Sequence, residues 1–294
     1  MKTPSIQMVQ ALCLIGLFTG PFQVLCLREI PLTMFYNSVD DQYVNCSLET
    51  ELELTKSGKI PLPEQYNATW KKATQHWDSL SQTVRSFSAI YGTAIVAYTV
   101  GDSLYRDFNT AAREAGKSQD SYEQYAFKDF HLLLTKALQA KKTSNCCEVF
   151  RGINGIHFAT SNKAVVRFGQ FASSSLDKKV AQGYGEDTFF SIKTCYGVPI
   201  RDFALNKTEK EVLIPPYETF TVTNYTKTQK GIFIRLESLS VFSRFNCEEL
   251  KGVNTKKAII TGAVVLGVIV SVGLIIGLVV VQTRKLRQRR SVPI

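Results

Sequence analysis

The chain has 294 residues, 45% of them apolar and 20% charged, with 35 Lys+Arg against 25 Asp+Glu for a net charge of +10. That length and apolar content can bury one or two full cores, while 18 Gly, 9 Pro and 7 Cys exclude a collagen repeat, a low-complexity linker and a disulfide-stapled miniprotein. Half of the positive excess sits in residues 282–294, where Arg284, Lys285, Arg287, Arg289 and Arg290 stand without an acid, so the main body carries no basic footprint for nucleic acid.

Lys2 precedes an apolar stretch from Ala11 to Leu25, and Val24-Leu25-Cys26 suits a cleavage site, so residues 1–26 are expected to be a secretory signal peptide. Pro63-Glu64 opens an amphipathic helix predicted to run through Leu80, with Tyr66, Trp70, Ala73 and Trp77 at spacings of three and four. A second helix is expected over Leu104–Ala115, ended by Gly116. Asp120 and Glu123 form a candidate capping box for a third, whose apolar face continues through Tyr122, Ala126, Phe130, Leu133, Leu134, Ala137 and Leu138.

After Ser144 the pattern changes to short β-branched and aromatic runs punctuated by Gly, Asn and Asp. Strands are predicted at Glu148–Ile153, Ala164–Ser173, Thr188–Thr194, Glu211–Ile214, Tyr217–Thr223 and Gly231–Leu236, with a short helix at Leu176–Gln182. Helices first and strands afterwards indicate an α+β domain over residues 27–257.

Residues 258–281 run without a charge, long enough as a helix to span a hydrocarbon core of ~30 Å. The basic segment that follows places the tail on the cytoplasmic side and residues 27–257 outside the cell, a single-pass type I arrangement with the tail against lipid headgroups. A GPI-attachment signal is the competing reading, although such tails normally end without a basic extension.

An extracytoplasmic location is oxidising. Signal removal takes Cys13 and Cys26, leaving Cys46, Cys146, Cys147, Cys195 and Cys247; four are expected to pair, with one thiol left over. Sequons at Asn67, Asn206 and Asn224 are candidate glycosylation sites, and Asn45 is a poorer one. His76, His131 and His157 lack metal-ligand spacing, and GxGxxG, GxxxxGK[ST], HExxH and GxSxG are all absent, so a metal centre is not expected.

The chemistry-bearing pattern is spread over three segments. Glu209-Lys210-Glu211 would put two carboxylates on one side of an extended chain, able to divide charge stabilisation and proton acceptance. Phe150-Arg151-Gly152 offers a bidentate cation where glycine lets a phosphate come close, and Phe171–Ser175 ends a β-run in clustered hydroxyls. In this order they resemble the R-S-E signature of the arginine-specific ecto-ADP-ribosyltransferases. So do Asp40–Cys46, Ala97-Tyr98-Thr99, Tyr105–Asn109, Arg167–Ser175, Gly185–Phe190, Glu211–Pro216 and Phe245-Asn246-Cys247.

The resemblance implies a helical N-terminal half packed on a mixed or antiparallel sheet, and an enzyme that moves ADP-ribose from NAD or NADP to arginines of other proteins without a metal. It implies that Arg151 and Gly152 hold an NAD phosphate and that Ser173 supports the nicotinamide ribose. Glu211 is then the catalytic glutamate and Glu209 the base for the acceptor guanidinium, with Tyr98 and Gln170 lining the NAD site. It pairs Cys46 with Cys247 and Cys146 with Cys195, though Cys147 beside Cys146 leaves open which of the two bonds. An NAD glycohydrolase and a catalytically silent receptor or adhesion module are the alternatives, separated by whether arginine, water or nothing captures the ribosyl group.

Overall fold

A computed structural model of the chain describes residues 11–13, 26–45 and 49–246, all within one compact unit, Met1–Cys247. Residues 258–281 and the basic tail lie outside the described residues, as do Cys46, Cys247 and most of residues 1–26. Among the described residues no helix is long and apolar enough to cross a membrane.

The chain enters through β1 (Ala11–Cys13) and β2 (Cys26–Pro31), then builds a helical layer: α1 (Glu49–Ser57), α2 (Asn67–Ser79), α3 (Gln82–Arg85), α4 (Ala89–Tyr98), α5 (Leu104–Ala115), α6 (Gln119–Glu123) and α7 (Lys128–Lys141). Within α2 the stripe Thr69, Ala73 and Trp77 is buried, as the four-residue spacing requires. In α5 the same spacing buries Leu104, Phe108, Ala112 and Ala115. From Gly92 to its end α4 is buried on all sides, so it carries no stripe and was invisible to periodicity.

The third expected helix is two. Tyr122, Tyr125 and Phe127 are all buried, and residues two apart on one helix face opposite ways, so the chain breaks between Glu123 and Lys128 to turn Tyr125 and Phe127 to the same core. The cap of α6 is not Asp120 but Ser118, whose Oγ accepts from Ser121 N at 3.1 Å.

The second half contributes β3 (Cys147–Ile153), β4 (Ile156–Ala159), β5 (Val165–Val166), β6 (Ala172–Ser175), α8 (Lys178–Gly183), β7 (Thr188–Thr194), β8 (Val198–Pro199), β9 (Glu211–Ile214), β10 (Glu218–Thr228) and β11 (Gly231–Val241). Eight of these strands form a sheet in the order β5-β10-β11-β7-β3-β6-β9-β8, mixed because β11 runs parallel to β7 while its other pairings are antiparallel. A smaller sheet joins β1, β2 and β4, so the described part of the expected signal segment pairs with β2. The architecture is the α+β arrangement expected.

The predicted strand Ala164–Ser173 is interrupted, and one charge explains it. Arg167 is fully buried against Asp40, donates through Nη2 to Phe35 O at 3.2 Å and through Nη1 to Phe242 O at 3.2 Å, and bonds Met34 O as well. A guanidinium in the interior must be paired on all its donors, so the chain leaves the sheet between β5 and β6 to meet them. Asp40 in turn accepts from Arg244 N at 2.9 Å and Phe245 N at 3.0 Å, clamping the two ends of the domain together.

Asp40→Ala strands Arg167 as an unpaired buried cation and is expected to cost about 3–5 kcal/mol in urea unfolding. A loss below about 1 kcal/mol would show that the pair is not the clamp described.

Candidate active site

Register brings the chemical groups together. On β6, Ser173 faces Leu213 of β9 and Ser175 faces Glu211, so Ser173 and Glu211 are diagonal neighbours on adjacent antiparallel strands, within reach of each other's side chains. Ser173 Oγ donates to Glu211 Oε1 at 2.6 Å. On the other flank of β6, Arg151 of β3 donates through Nη1 to the carbonyl of Ser173. Arg151, Ser173 and Glu211 thus converge on one residue of one strand.

Glu211 is only 7% exposed, and burial pushes its carboxyl up to about 7; the Ser173 hydroxyl and the Arg151 cation oppose that rise and the neighbouring Glu209 charge adds to it. Burial also lowers Arg151 from the usual guanidinium range, with Tyr98, Glu211 and Tyr105 opposing. Arg151 Nε is buried without a hydrogen-bond partner. A half-buried guanidinium that keeps an unused donor has the charge and the hydrogen-bonding capacity to hold an anionic phosphate.

Glu209 departs from the extended geometry expected. It ends a 3₁₀ turn, Lys207–Glu209, and Lys210 has a left-handed backbone at φ 47°, so the two glutamates are not alternate residues of one strand. Tight bonds hold that turn: Ser175 Oγ donates to Glu209 O at 2.6 Å, Leu176 N to Lys210 O at 3.2 Å, and Lys210 Nζ reaches Asp177 Oδ2 at 2.9 Å. The turn still leaves Glu209 close enough to raise the Glu211 carboxyl, and Asn206 Nδ2 donates to Glu209 Oε1 at 2.9 Å.

The other expected residues are placed as follows. Tyr98 is buried behind β6, its hydroxyl donating to Phe171 O at 3.2 Å and accepting from Asn109 Nδ2 at 2.9 Å; burial pushes it up to about 12. Gln170 is held through Oε1 by Arg113 of α5. A side chain at Gly152 would collide with the carbonyls of Ala181 and Gly185, so this glycine is demanded by α8 and the turn that follows it, packed over β3.

Sequence reasoning missed Tyr105, 40% exposed, and Tyr184, 58% exposed. Tyr184 is raised to about 12, first by partial burial and then by the charges of Glu209 and Glu211. Only a lone aromatic in a Gly-rich turn marked it, and that signal is too common to read. Asn109, which orients the Tyr98 hydroxyl, lies in the segment Tyr105–Asn109 that shares the family resemblance, but nothing in its residue type or spacing marked it individually.

Cys146 is bonded to Cys195, which resolves the choice between the adjacent pair, and Cys147 is a free, half-buried thiol whose pKa burial raises. No group of three or more metal-ligating side chains occurs among the described residues. His131 is a core residue, bonded to Tyr43 Oη at 3.0 Å and pushed down to about 3 by burial, hence uncharged.

Comparison with known proteins agrees with this geometry. The family model described as NAD:arginine ADP-ribosyltransferase matches residues 32–243. The erythroblast NAD(P)(+)--arginine ADP-ribosyltransferase of Gallus gallus is 44% identical over 236 residues, covering 76% of this chain and 78% of the relative. The GPI-linked NAD(P)(+)--arginine ADP-ribosyltransferase 1 of Homo sapiens is 39% identical over 247 residues, 76% of each chain. A mutant of the eukaryotic mono-ADP-ribosyltransferase ART2.2 in complex with NADH superposes with a TM-score of 0.64 at 33% identity, covering 74% of this chain and 99% of that one. The chain belongs to the NAD:arginine ADP-ribosyltransferase family. Its reaction is transfer of ADP-ribose from NAD to arginine side chains with release of nicotinamide.

Because the Glu211 carboxyl titrates near 7 folded against an ordinary 4.5, the folded state holds the extra proton between those values, and stability falls as pH climbs through that window. Glu211→Gln removes this penalty. Urea unfolding at about pH 5 and about pH 8 is expected to show the variant gaining on the parent by up to a few kcal/mol at the higher pH; an equal difference at both would contradict the buried-carboxyl account.

Proposed function

We propose that the chain is a cell-surface mono-ADP-ribosyltransferase in which Arg151 binds an NAD phosphate, Ser173 and Glu211 hold the nicotinamide ribose, and Glu209 activates the acceptor arginine. The observation that carries this reading is the Ser173–Glu211 hydrogen bond at 2.6 Å, beside a guanidinium fixed on the same residue's carbonyl.

Charge dictates the order of events. The bond between ribose C1′ and nicotinamide breaks with its electrons returning to the pyridinium ring, and the ribosyl group becomes oxocarbenium-like. A carboxylate at the 2′-hydroxyl favours that charge more than it favours intact NAD. Glu211 must be ionised for this role, and its raised pKa ties activity to pH near neutrality. The incoming guanidinium is protonated and a poor nucleophile; as its nitrogen bonds to C1′, its proton passes to Glu209. Tyr98 and Gln170 support the NAD site, Tyr98 from behind the strand.

The second disulfide is read as Cys46–Cys247. Its support is that Val44 N donates to Asn246 Oδ1 at 2.8 Å and Asn246 Nδ2 donates to Val44 O at 3.1 Å, one or two residues from each cysteine. Membrane attachment is read as a single helix over residues 258–281 followed by a cytoplasmic tail, supported by the uncharged run and its basic flank. The GPI anchors in the names of the human and mouse relatives make lipid anchoring the alternative.

Incubation of the extracellular part with labelled NAD and agmatine tests the roles. Glu211→Gln is expected to lower both transfer and nicotinamide release by roughly 10²–10³. Glu209→Ala is expected to lose transfer to agmatine while keeping NAD hydrolysis; undiminished agmatine labelling would refute the assignment of the acceptor base.

A further inference from the structure

In the sequence Asn206 is only the first residue of a sequon, and the reaction as derived leaves it without a part. In the structure its side chain makes three hydrogen bonds. Oδ1 accepts from Thr208 N at 3.2 Å and from Thr208 Oγ1 at 2.6 Å, closing the 3₁₀ turn. Nδ2 donates to Glu209 Oε1 at 2.9 Å. Both Asn206 and Thr208 are exposed, while Glu209 is half-buried.

The bond to Glu209 has a particular chemistry. A neutral amide fixes one oxygen of the carboxylate without cancelling its charge, so Glu209 keeps its ability to attract a guanidinium and take its proton. A lysine or arginine in that place would hold the group but neutralise it. The nitrogen that holds Glu209 is also the atom that N-glycosylation derivatises. There the bond between sugar C1 and the diphosphate of a lipid-linked oligosaccharide breaks and a C1–Nδ2 bond forms. One amide proton is lost and one N–H remains.

We propose that Asn206 is the positioning residue of the acceptor site and that an N-glycan on its Nδ2 lowers, without abolishing, transfer to arginines on folded protein surfaces relative to transfer to small guanidines. The proposal rests on the reading of Glu209 as the acceptor base. A glycan that starts one bond from the atom holding Glu209 stands beside the path of any acceptor. A guanidinium on a short flexible chain passes it, whereas a protein surface has to displace it. The sequon at Asn224 serves as a control, because β10 is separated from β9 in the sheet by β11, β7, β3 and β6.

The test uses the full chain expressed in glycosylating animal cells, with site occupancy read by mass spectrometry. Three activities are measured: transfer to agmatine, transfer to a folded arginine-bearing protein, and nicotinamide release without acceptor. Asn206→Asp keeps the oxygen that caps the turn and loses the donor to Glu209. It is expected to lower kcat/KM for agmatine about tenfold while the KM for NAD and the hydrolysis rate stay within about twofold. Should that variant misfold, Asn206→Ser, which retains a capping hydroxyl too short to reach Glu209, is expected to show the same split.

Thr208→Ala abolishes the glycan but keeps the amide. It is expected to raise protein labelling relative to agmatine labelling about fivefold, whereas Thr208→Ser and Asn224→Gln leave the ratio as in the parent. The proposal is overturned if Asn206→Asp leaves agmatine transfer unchanged, if Asn206 carries no glycan, or if the ratio is indifferent to Thr208→Ala. Loss of transfer in Glu209→Ala alongside an unaffected Asn206→Asp would remove this inference alone; retention of transfer in Glu209→Ala would remove the reading beneath it.

Discussion

The geometry of the candidate active site depends on the position of a single short strand. Ala172–Ser175 lies between β3 and β9, and its Ser173 is gripped twice, through the carbonyl by Arg151 and through the hydroxyl by Glu211. The residues on either side keep that strand from shifting. Ala172 is fully buried, and Ser174 Oγ donates to Val212 O at 2.7 Å. Ser175 anchors the turn that carries Glu209. Behind the strand, Tyr98 bonds the carbonyl of Phe171 and is itself oriented by Asn109. A slip of one residue would send Ser173 to the other face and dissolve the site.

Two arginines, one buried and one half-buried, show how differently the same charge can be housed. Arg167 is sealed, and its donors are occupied by Asp40 and by backbone carbonyls from both ends of the domain, so its role is architectural. Arg151 is half-buried and keeps an Nε without a hydrogen-bond partner. The carboxylates divide in the same manner. Burial raises both Glu218 and Glu211, but Glu218 is satisfied by Thr194, Cys195, Tyr196 and Ser238, whereas Glu211 is held by one serine hydroxyl. Incomplete pairing leaves Arg151 and Glu211 with hydrogen-bonding capacity that Arg167 and Glu218 have already spent.

Local pattern was enough wherever an element buries one face. The helix Leu104–Ala115 and the strands Thr188–Thr194 and Glu211–Ile214 have the limits that spacing and composition suggested. It failed where burial was complete or where a charge overrode the period. The helix Ala89–Tyr98 shows no periodicity because almost all of it is covered, and the run from Ala164 to Ser173 reads as one strand until the partners of Arg167 are known. Glu209 and Glu211 look like alternate residues of a strand, yet bonds from Ser175, Leu176 and Asp177 bend the chain between them.

By itself the sequence determined the α+β order of elements, the three segments that hold the guanidinium, hydroxyl and carboxylate, and the absence of a nucleotide-binding glycine motif, because each of these is written in residue type and spacing within a short window. It could not decide that Cys146 and not Cys147 bonds Cys195, that Asn206 grips Glu209, or that Tyr184 stands beside both glutamates. Those outcomes hinge on which atoms meet across strands and turns and on how much water is excluded where they do. Both are properties of the packed chain, and only the tertiary structure settles them.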